Sequence, residues 1–318
     1  MKKILALLLV LVLALGMFTA CGGGTEEPAA ETEAVAIGFA TCNMNDTFQT
    51  YVADAATAKA EELGYTIDVQ DAQEDVVKQQ DQVKAMIEEG VAAIIVVPVD
   101  TSAMGPITDA VTEAGIPLVY VNRNPFGTEQ PPEGVYYVGS QEIVAGQLQA
   151  KYLVELLGTE NPVGVGILMG ILSNEGAVKR TEGNETVLAE YPNYKILNKE
   201  AGDWQPDKGM ALTENWLTAY GDDLKAILAN NDQMAIGALQ ALDAAGRDDV
   251  IVMGVDAIPD AVQLVADGKL DATVLQDAKG QGGGGVEVVS KLLNGETPEA
   301  ITWIDFVLVN ADNVAEFQ

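Results

Sequence analysis

The chain has 318 residues, 48% of them hydrophobic, and a formal net charge of −31. So acidic a surface argues against nucleic acid and bare anionic lipid as partners, since both repel it. With no histidine and two cysteines, most metal sites, imidazole base catalysis and a disulfide framework fall away, so hydrophobic cores must hold the fold.

Lys2-Lys3, the apolar run 4–15 and the approach Phe18-Thr19-Ala20 to Cys21 read as an export signal over residues 1–20. The apolar run is too short for a spanning helix. Cys21 followed by Gly22-Gly23-Gly24 resembles the lipoprotein box of bacteria, in which the cysteine is lipidated and becomes the mature N-terminus. Ordinary signal cleavage would instead release a soluble protein. The expected location is extracytoplasmic, lipid-anchored to the outer face of the cell membrane or periplasmic. Residues 21–33, rich in Gly, Ala and Glu with no large apolar side chain, read as a flexible stalk. The remainder, close to 300 residues, has a soft prior of about two domains.

A strand over 34–40 opens the fold. The next helix carries Phe48, Tyr51, Val52 and Ala55 at i, i+3, i+4 and i+7 and ends near Gly64. A strand over 66–69 follows, then a helix with Val76, Val83, Met86 and Ile87 on one face, ending at Gly90. A strand over 92–97, a helix over 104–114 and a strand over 117–121 complete the first series. After Gly139-Ser140 the alternation restarts: helix 143–157, strand 163–169, helix 177–190, a weaker strand 194–197, helix 206–220, strand 226–229, helix 233–245, strands 251–255 and 272–275. Two such series in tandem predict an α/β fold of two doubly wound parallel-sheet lobes.

Several of these strands stop at a hydrogen-bonding side chain. The strand over 117–121 ends at Asn122-Arg123, that over 226–229 at Asn230-Asn231-Asp232, that over 251–255 at Asp256, and that over 272–275 at Gln276. Ligands of open parallel sheets bind in the crevice beyond the carboxyl ends of the strands. Amides, carboxylates and a guanidinium gathered there suit a small neutral polyol rather than a phosphate or a metal. Asp46, between the first strand and its helix, is a good N-cap by type and also stands at the crevice, as does Phe48, which reads equally as core or as a stacking ring. Asp232 reads as the cap of its helix, and Asp256 carries the same ambiguity. Trp204 lies in a polar loop and is harder to explain as core than mid-helix Trp216. Arg180, taken alone, reads as a solvent-facing charge. Gly280 to Gly285, interrupted by Gln281, lacks the Lys-Ser or Lys-Thr of a phosphate loop, and Gly164, Gly166 and Gly170 miss the dinucleotide spacing. The run should weaken the start of a late helix, by roughly 1 kcal/mol per helical Gly.

The segment from Asn230 through Gly237-Ala238, with Gly254-Val255-Asp256-Ala257-Ile258-Pro259 after it, resembles the sugar-binding receptors of bacterial ABC importers, nearest the galactose/glucose branch and then the ribose branch. The resemblance extends from about Ala34 to Gln318. It implies a type I periplasmic binding protein-like fold, with three crossovers forming a hinge between lobe one (34–138 and 277–303) and lobe two (139–276 and 304–318). It implies ligand contacts from Asp46, Phe48, Asn122 and Arg123 in lobe one, from Arg180, Trp204, Asn231 and Asp256 in lobe two, and from Gln276. Asn174 and Gly176 stand where the hexose receptor has a His and an Asp, which leaves the sugar open among galactose or glucose, a pentose and inositol. The hexose receptor's calcium loop has no counterpart at Thr159-Glu160-Asn161-Pro162, so no metal and no cofactor are expected. The implied partners are a monosaccharide, an ABC permease and, further, a chemoreceptor, for a monomeric protein that is not an enzyme. A secreted carbohydrate-active enzyme using Asp46 and Asp256 as acid and base is the competing class; a transcriptional regulator conflicts with the export signal.

Overall fold

The computed structural model describes residues 35–127 and 129–318. The signal segment, Cys21 and the stalk lie outside these residues. The first series runs β1 (Ala36–Thr41), α1 (Thr47–Glu62), β2 (Thr66–Asp71), α2 (Val76–Glu89), β3 (Ala93–Val96), α3 (Gly105–Glu113), β4 (Leu118–Val121) and β5 (Val135–Gly139). The second runs α4 (Glu142–Leu157), β6 (Val163–Met169), α5 (Glu175–Leu188), β7 (Tyr194–Ala201), α6 (Pro206–Tyr220), β8 (Leu224–Ala229), α7 (Asp232–Ala245), β9 (Ile251–Met253), α8 (Pro259–Ala266) and β10 (Ala272–Leu275). α9 (Ala278–Leu293), β11 (Ile301–Trp303) and β12 (Val307–Asn310) close the chain.

The strands form two six-stranded sheets, ordered β11-β5-β4-β3-β1-β2 and β12-β10-β9-β8-β6-β7. The two α/β lobes expected from the alternation are therefore present. All neighbours in the first sheet are parallel. In the second, β12 departs by running antiparallel to β10. The chain passes from one sheet to the other three times, between β5 and α4, between β10 and α9, and between β11 and β12. Every residue of β3 and β4 is buried, as a parallel strand covered on both faces requires.

The packing of α1 differs from its apolar spacing. It buries Phe48, Gln49, Val52, Ala53, Ala56 and Ala60, whereas Tyr51 is 39% exposed. The small face is needed because α9 crosses closely: a Cβ on Gly282 would strike the carbonyl of Val52, and one on Gly285 would lie 2.7 Å from Val121 Cγ1. The glycine run thus serves helix-to-helix and helix-to-sheet approach. Gly166 does the same for Trp216, whose Cζ3 would lie 2.5 Å from an added Cβ. Trp216 is core, as its mid-helix place implies.

Candidate functional site

The first lobe's contribution begins at the β1–α1 loop. Asp46 caps α1: its Oδ1 accepts from the Phe48 N–H at 2.9 Å and from the Gln49 N–H at 3.4 Å. This cap holds Phe48, on the first turn, at the mouth of the sheet while its ring also packs in the core. Asn122, just past β4, adopts a left-handed backbone with φ 65°. Its side chain is fixed from both sides, accepting from Gln49 Nε2 at 2.9 Å and donating to Gln281 Oε1 at 3.0 Å. Arg123 is not a solvated surface charge. It is buried and donates to the carbonyls of Pro98 and Val99 at 3.0 and 3.1 Å and to Glu74 Oε1 at 3.4 Å.

Arg180 organises the second lobe. Rather than facing solvent, it is 5% exposed. Its Nε donates to Glu142 Oε2 at 2.6 Å, Nη1 to the Asn230 carbonyl at 2.6 Å, and Nη2 to Gln276 Oε1 at 2.9 Å. Asp256 Oδ1 lies 3.6 Å from Nη1, and the guanidinium stands 5.8 Å from the ring centres of Trp204 and Phe306. Gln276 closes the circuit by donating to Glu142 Oε1 at 3.2 Å. Trp204 sits in a turn with φ 67°, over Gly170, where any Cβ would enter the indole. Its Nε1–H donates to Asn174 Oδ1 at 3.0 Å, and Asn174 Nδ2 donates across the lobes to the Val99 carbonyl at 2.9 Å.

The cap of α7 corrects the sequence reading. Asn231, not Asp232, accepts from the Met234 N–H at 3.0 Å. Asp232 instead accepts from Thr273 Oγ1 at 2.6 Å and from the Ile258 N–H at 2.9 Å, tying the start of α7 to β10 and to the N-cap of α8. Asp256 caps nothing. The helix after it, α8, has Ile258 at its N-cap, and Asp256 itself takes φ 121° where β9 stops short of Val255.

All nine residues expected from the sequence line one cavity between the lobes. Four further residues line it: Gln49, Glu142, Asn174 and Gly176. Asn174 and Gly176 could be found only as departures from the hexose pattern. Glu142 offered no local signal, since its partner Arg180 is 38 residues away.

Burial dominates the electrostatics. It pushes the Asp46 carboxyl up against the pull of Arg123, and it pushes Asp256 well up against Arg180, with Asp232, Asp46 and Glu142 adding to the rise. Burial and then Glu142 push Glu175 up to about 8, and its Oε2 is enclosed without a hydrogen-bond partner. A carboxylate raised from 4.5 in the unfolded chain to about 8 in the folded one leaves its contribution intact below the lower value and loses it as pH rises through the upper. Glu175→Gln is therefore expected to match the parent at pH 4.5 and to be the more stable at pH 8.5, read from urea midpoints. Parallel loss in both proteins between those pH values would refute the assignment.

The comparisons with known proteins agree with this architecture. Residues 37–297 match the family model described as a periplasmic binding protein domain. A provisionally named rhizopine-binding protein of Rhizobium meliloti is 42% identical over 287 residues, which cover 89% of this chain and 92% of the relative. The ribose import binding protein of Escherichia coli is 32% identical over 86% of this chain and 90% of its own. An ABC transporter solute-binding protein of Bacillus halodurans C-125, solved with bound myo-inositol, superposes with a TM-score of 0.83 at 38% identity over 91% of this chain and 99% of that one. Nearness to the galactose/glucose branch, expected from the sequence, is not supported: these relatives carry the names of other ligands. Two parallel-sheet lobes, loops at the strand ends closing on one cavity, and a match over most of its length make this chain a member of the periplasmic binding protein family.

Proposed function

We propose that the protein is an extracytoplasmic receptor that takes one monosaccharide-sized polyol between its lobes and delivers it to an ABC permease. Inositol-type cyclitols and pentoses stand ahead of galactose and glucose as ligands. The observation that carries this reading is the inter-lobe cavity ringed by side chains from both sheets, with one aromatic from each lobe, Phe48 and Trp204. A hydroxyl both donates and accepts, so Asp46 and Asp256 would accept from ring hydroxyls, Arg123 and Arg180 would donate, and Asn122, Asn231 and Gln276 would do either. Phe48 and Trp204 would cover the C–H faces of the ring. Charge-assisted hydrogen bonds are worth about 1.5–3 kcal/mol net, and a micromolar dissociation constant requires about 8 kcal/mol, so four or five such contacts suffice after binding costs.

Bonds between the lobes support a closing mechanism: Asn174 to the Val99 carbonyl at 2.9 Å, Thr101 Oγ1 to the Ser173 carbonyl at 3.3 Å, and Gln233 Nε2 to Thr47 Oγ1 at 3.5 Å. A ligand that bridges the lobes adds to these few contacts and selects the closed form, which the permease would distinguish from the open one. With lobe boundaries at 138/139, 276/277 and 303/304, the hinge would fall at the last residue of β5, between β10 and α9, and between β11 and β12. Export through the leading segment and a lipid on Cys21 would hold the receptor at the outer membrane face. We assign it no catalysis.

A thermal-shift screen over cyclitols, pentoses and hexoses tests the proposal, since a ligand at 100 times its dissociation constant stabilises by about 2.7 kcal/mol. No shift with any polyol would sink it. Trp204 emission is expected to change on binding, and the Trp204→Phe protein to lose that change. A full signal in the variant would move the aromatic contact elsewhere.

A further inference from the structure

Close helix approach accounts for the glycines at the start of α9 but not for the residue that interrupts them. From Gly280 to Gly285 the only side chain is that of Gln281, and it is fully buried. The glycines let α9 lie on α1, where a Cβ on Gly282 would strike the Val52 carbonyl, and Gln281 enters a line of buried polar side chains there. Gln281 Nε2 donates to Ser140 Oγ at 3.1 Å, Asn122 Nδ2 donates to Gln281 Oε1 at 3.0 Å, and Gln49 Nε2 donates to Asn122 Oδ1 at 2.9 Å. Ser140 stands on the first passage between the lobes, after β5 and before α4. At the other end, on the first turn of α1, Gln49 is 3% exposed and lines the inter-lobe cavity.

Each amide in the line gives an N–H to the next oxygen, so the direction of one sets the direction of all. With its nitrogen turned to Asn122, Gln49 has its oxygen at the free end. That Oε1 is enclosed and accepts no hydrogen bond among the described residues. A buried carbonyl oxygen left without a donor is costly, and native interiors rarely keep one. Gln49 cannot turn its oxygen elsewhere without breaking the bond to Asn122. The cavity it lines is where the lobes would close on a ligand, and a ring hydroxyl brings the missing donor. An ether oxygen, a fluorine or a bare methylene at that ring position brings none.

We infer that Gln49 is a specificity-determining residue: its Oε1 accepts from one ring hydroxyl of the ligand and excludes polyols in which that hydroxyl is missing, alkylated or replaced by fluorine. Asn122, Gln281 and Ser140 are the positioning residues that hold the amide in this direction. This rests on the polyol-receptor reading and adds to it a contact that selects at a single ring position.

Titration calorimetry at pH 7 tests it with myo-inositol, D-ribose and D-glucose, each beside its monodeoxy and deoxyfluoro analogues. In the parent, one ring position is expected at which both analogues bind about tenfold or more weakly than the hydroxyl compound, because losing the hydroxyl strands the group built to meet it. Gln49→Met, similar in length and volume, is expected to erase the loss at that position and to leave the losses at other positions nearly unchanged. Gln49→Asn, too short to reach the ligand, gives the same readout if the methionine variant does not fold. Losses that persist at every position in the variant, or no such loss in the parent, would overturn the assignment and leave the polyol receptor standing. So would a fluoro analogue that binds like the hydroxyl compound at the erased position, since Gln49 would then be donating. No heat from any probe would overturn both readings.

Discussion

Arg180→Met is expected to abolish ligand binding and to destabilise the unliganded protein by about 3–5 kcal/mol, the cost of breaking a buried ion pair from one side. The guanidinium holds Glu142, the Asn230 carbonyl and Gln276, and it is the nearest cation to Asp256. Its removal strands two carboxylates that are nearly closed to water. The two effects separate in a double variant. Arg180→Met with Glu142→Gln removes one stranded charge and should recover part of the unfolding free energy, measured in urea. Binding should not recover, because the donors aimed at the cavity are still missing. Binding within tenfold of the parent in either variant would show that Arg180 supports the lobe without touching the ligand.

Gly146→Ala is expected to cost about 3 kcal/mol, near the top of the usual overpacking range, although alanine is the better helix former. A Cβ at Gly146 would run into the carbonyl of Arg180, and one at Gly183 into the carbonyl of Ile143, so α4 and α5 cross at backbone contact. The obstacle is main chain, which no rotamer change relieves. The same crossing sets Glu142, at the start of α4, against Arg180 on α5, so the substitution should also weaken binding. Gly105→Ala is the control, since nothing lies within 4 Å of its added Cβ and its stability should hold or rise slightly. Equal melting temperatures for Gly146→Ala and the parent would mean that the helices separate at little cost.

Much of the fold could be read directly because strand and helix periods are local. β6, α6 and β10 begin and end where apolar runs, Pro206 and the polar stops put them. The residues at the strand ends were legible for the same reason, since Asn122, Asn231, Asp256 and Gln276 each interrupt an apolar run. Side-chain partnerships were not legible. Nothing near Arg180 distinguishes it from a solvated helix charge, nor Glu142 from an ordinary first-turn acid. Asn231 and Asp232 are adjacent and of similar capping propensity, and which one caps α7 depends on Thr273 and Ile258 claiming the Asp232 carboxylate. The glycine run of α9 has no meaning until α1 lies against it.

Composition and periodicity alone were enough to require two α/β lobes with polar groups at the ends of their strands, because each strand and helix records its own burial in its own pattern. Folding added the pairings across 38, 96 and 134 residues that join Glu142, Arg180 and Gln276 into one buried circuit, and it left Asp46 and Asp256 facing one cavity from opposite lobes. Charge balance in a cleft depends on distances between segments remote in the chain. A one-dimensional pattern holds the inventory of charges and does not say which of them meet.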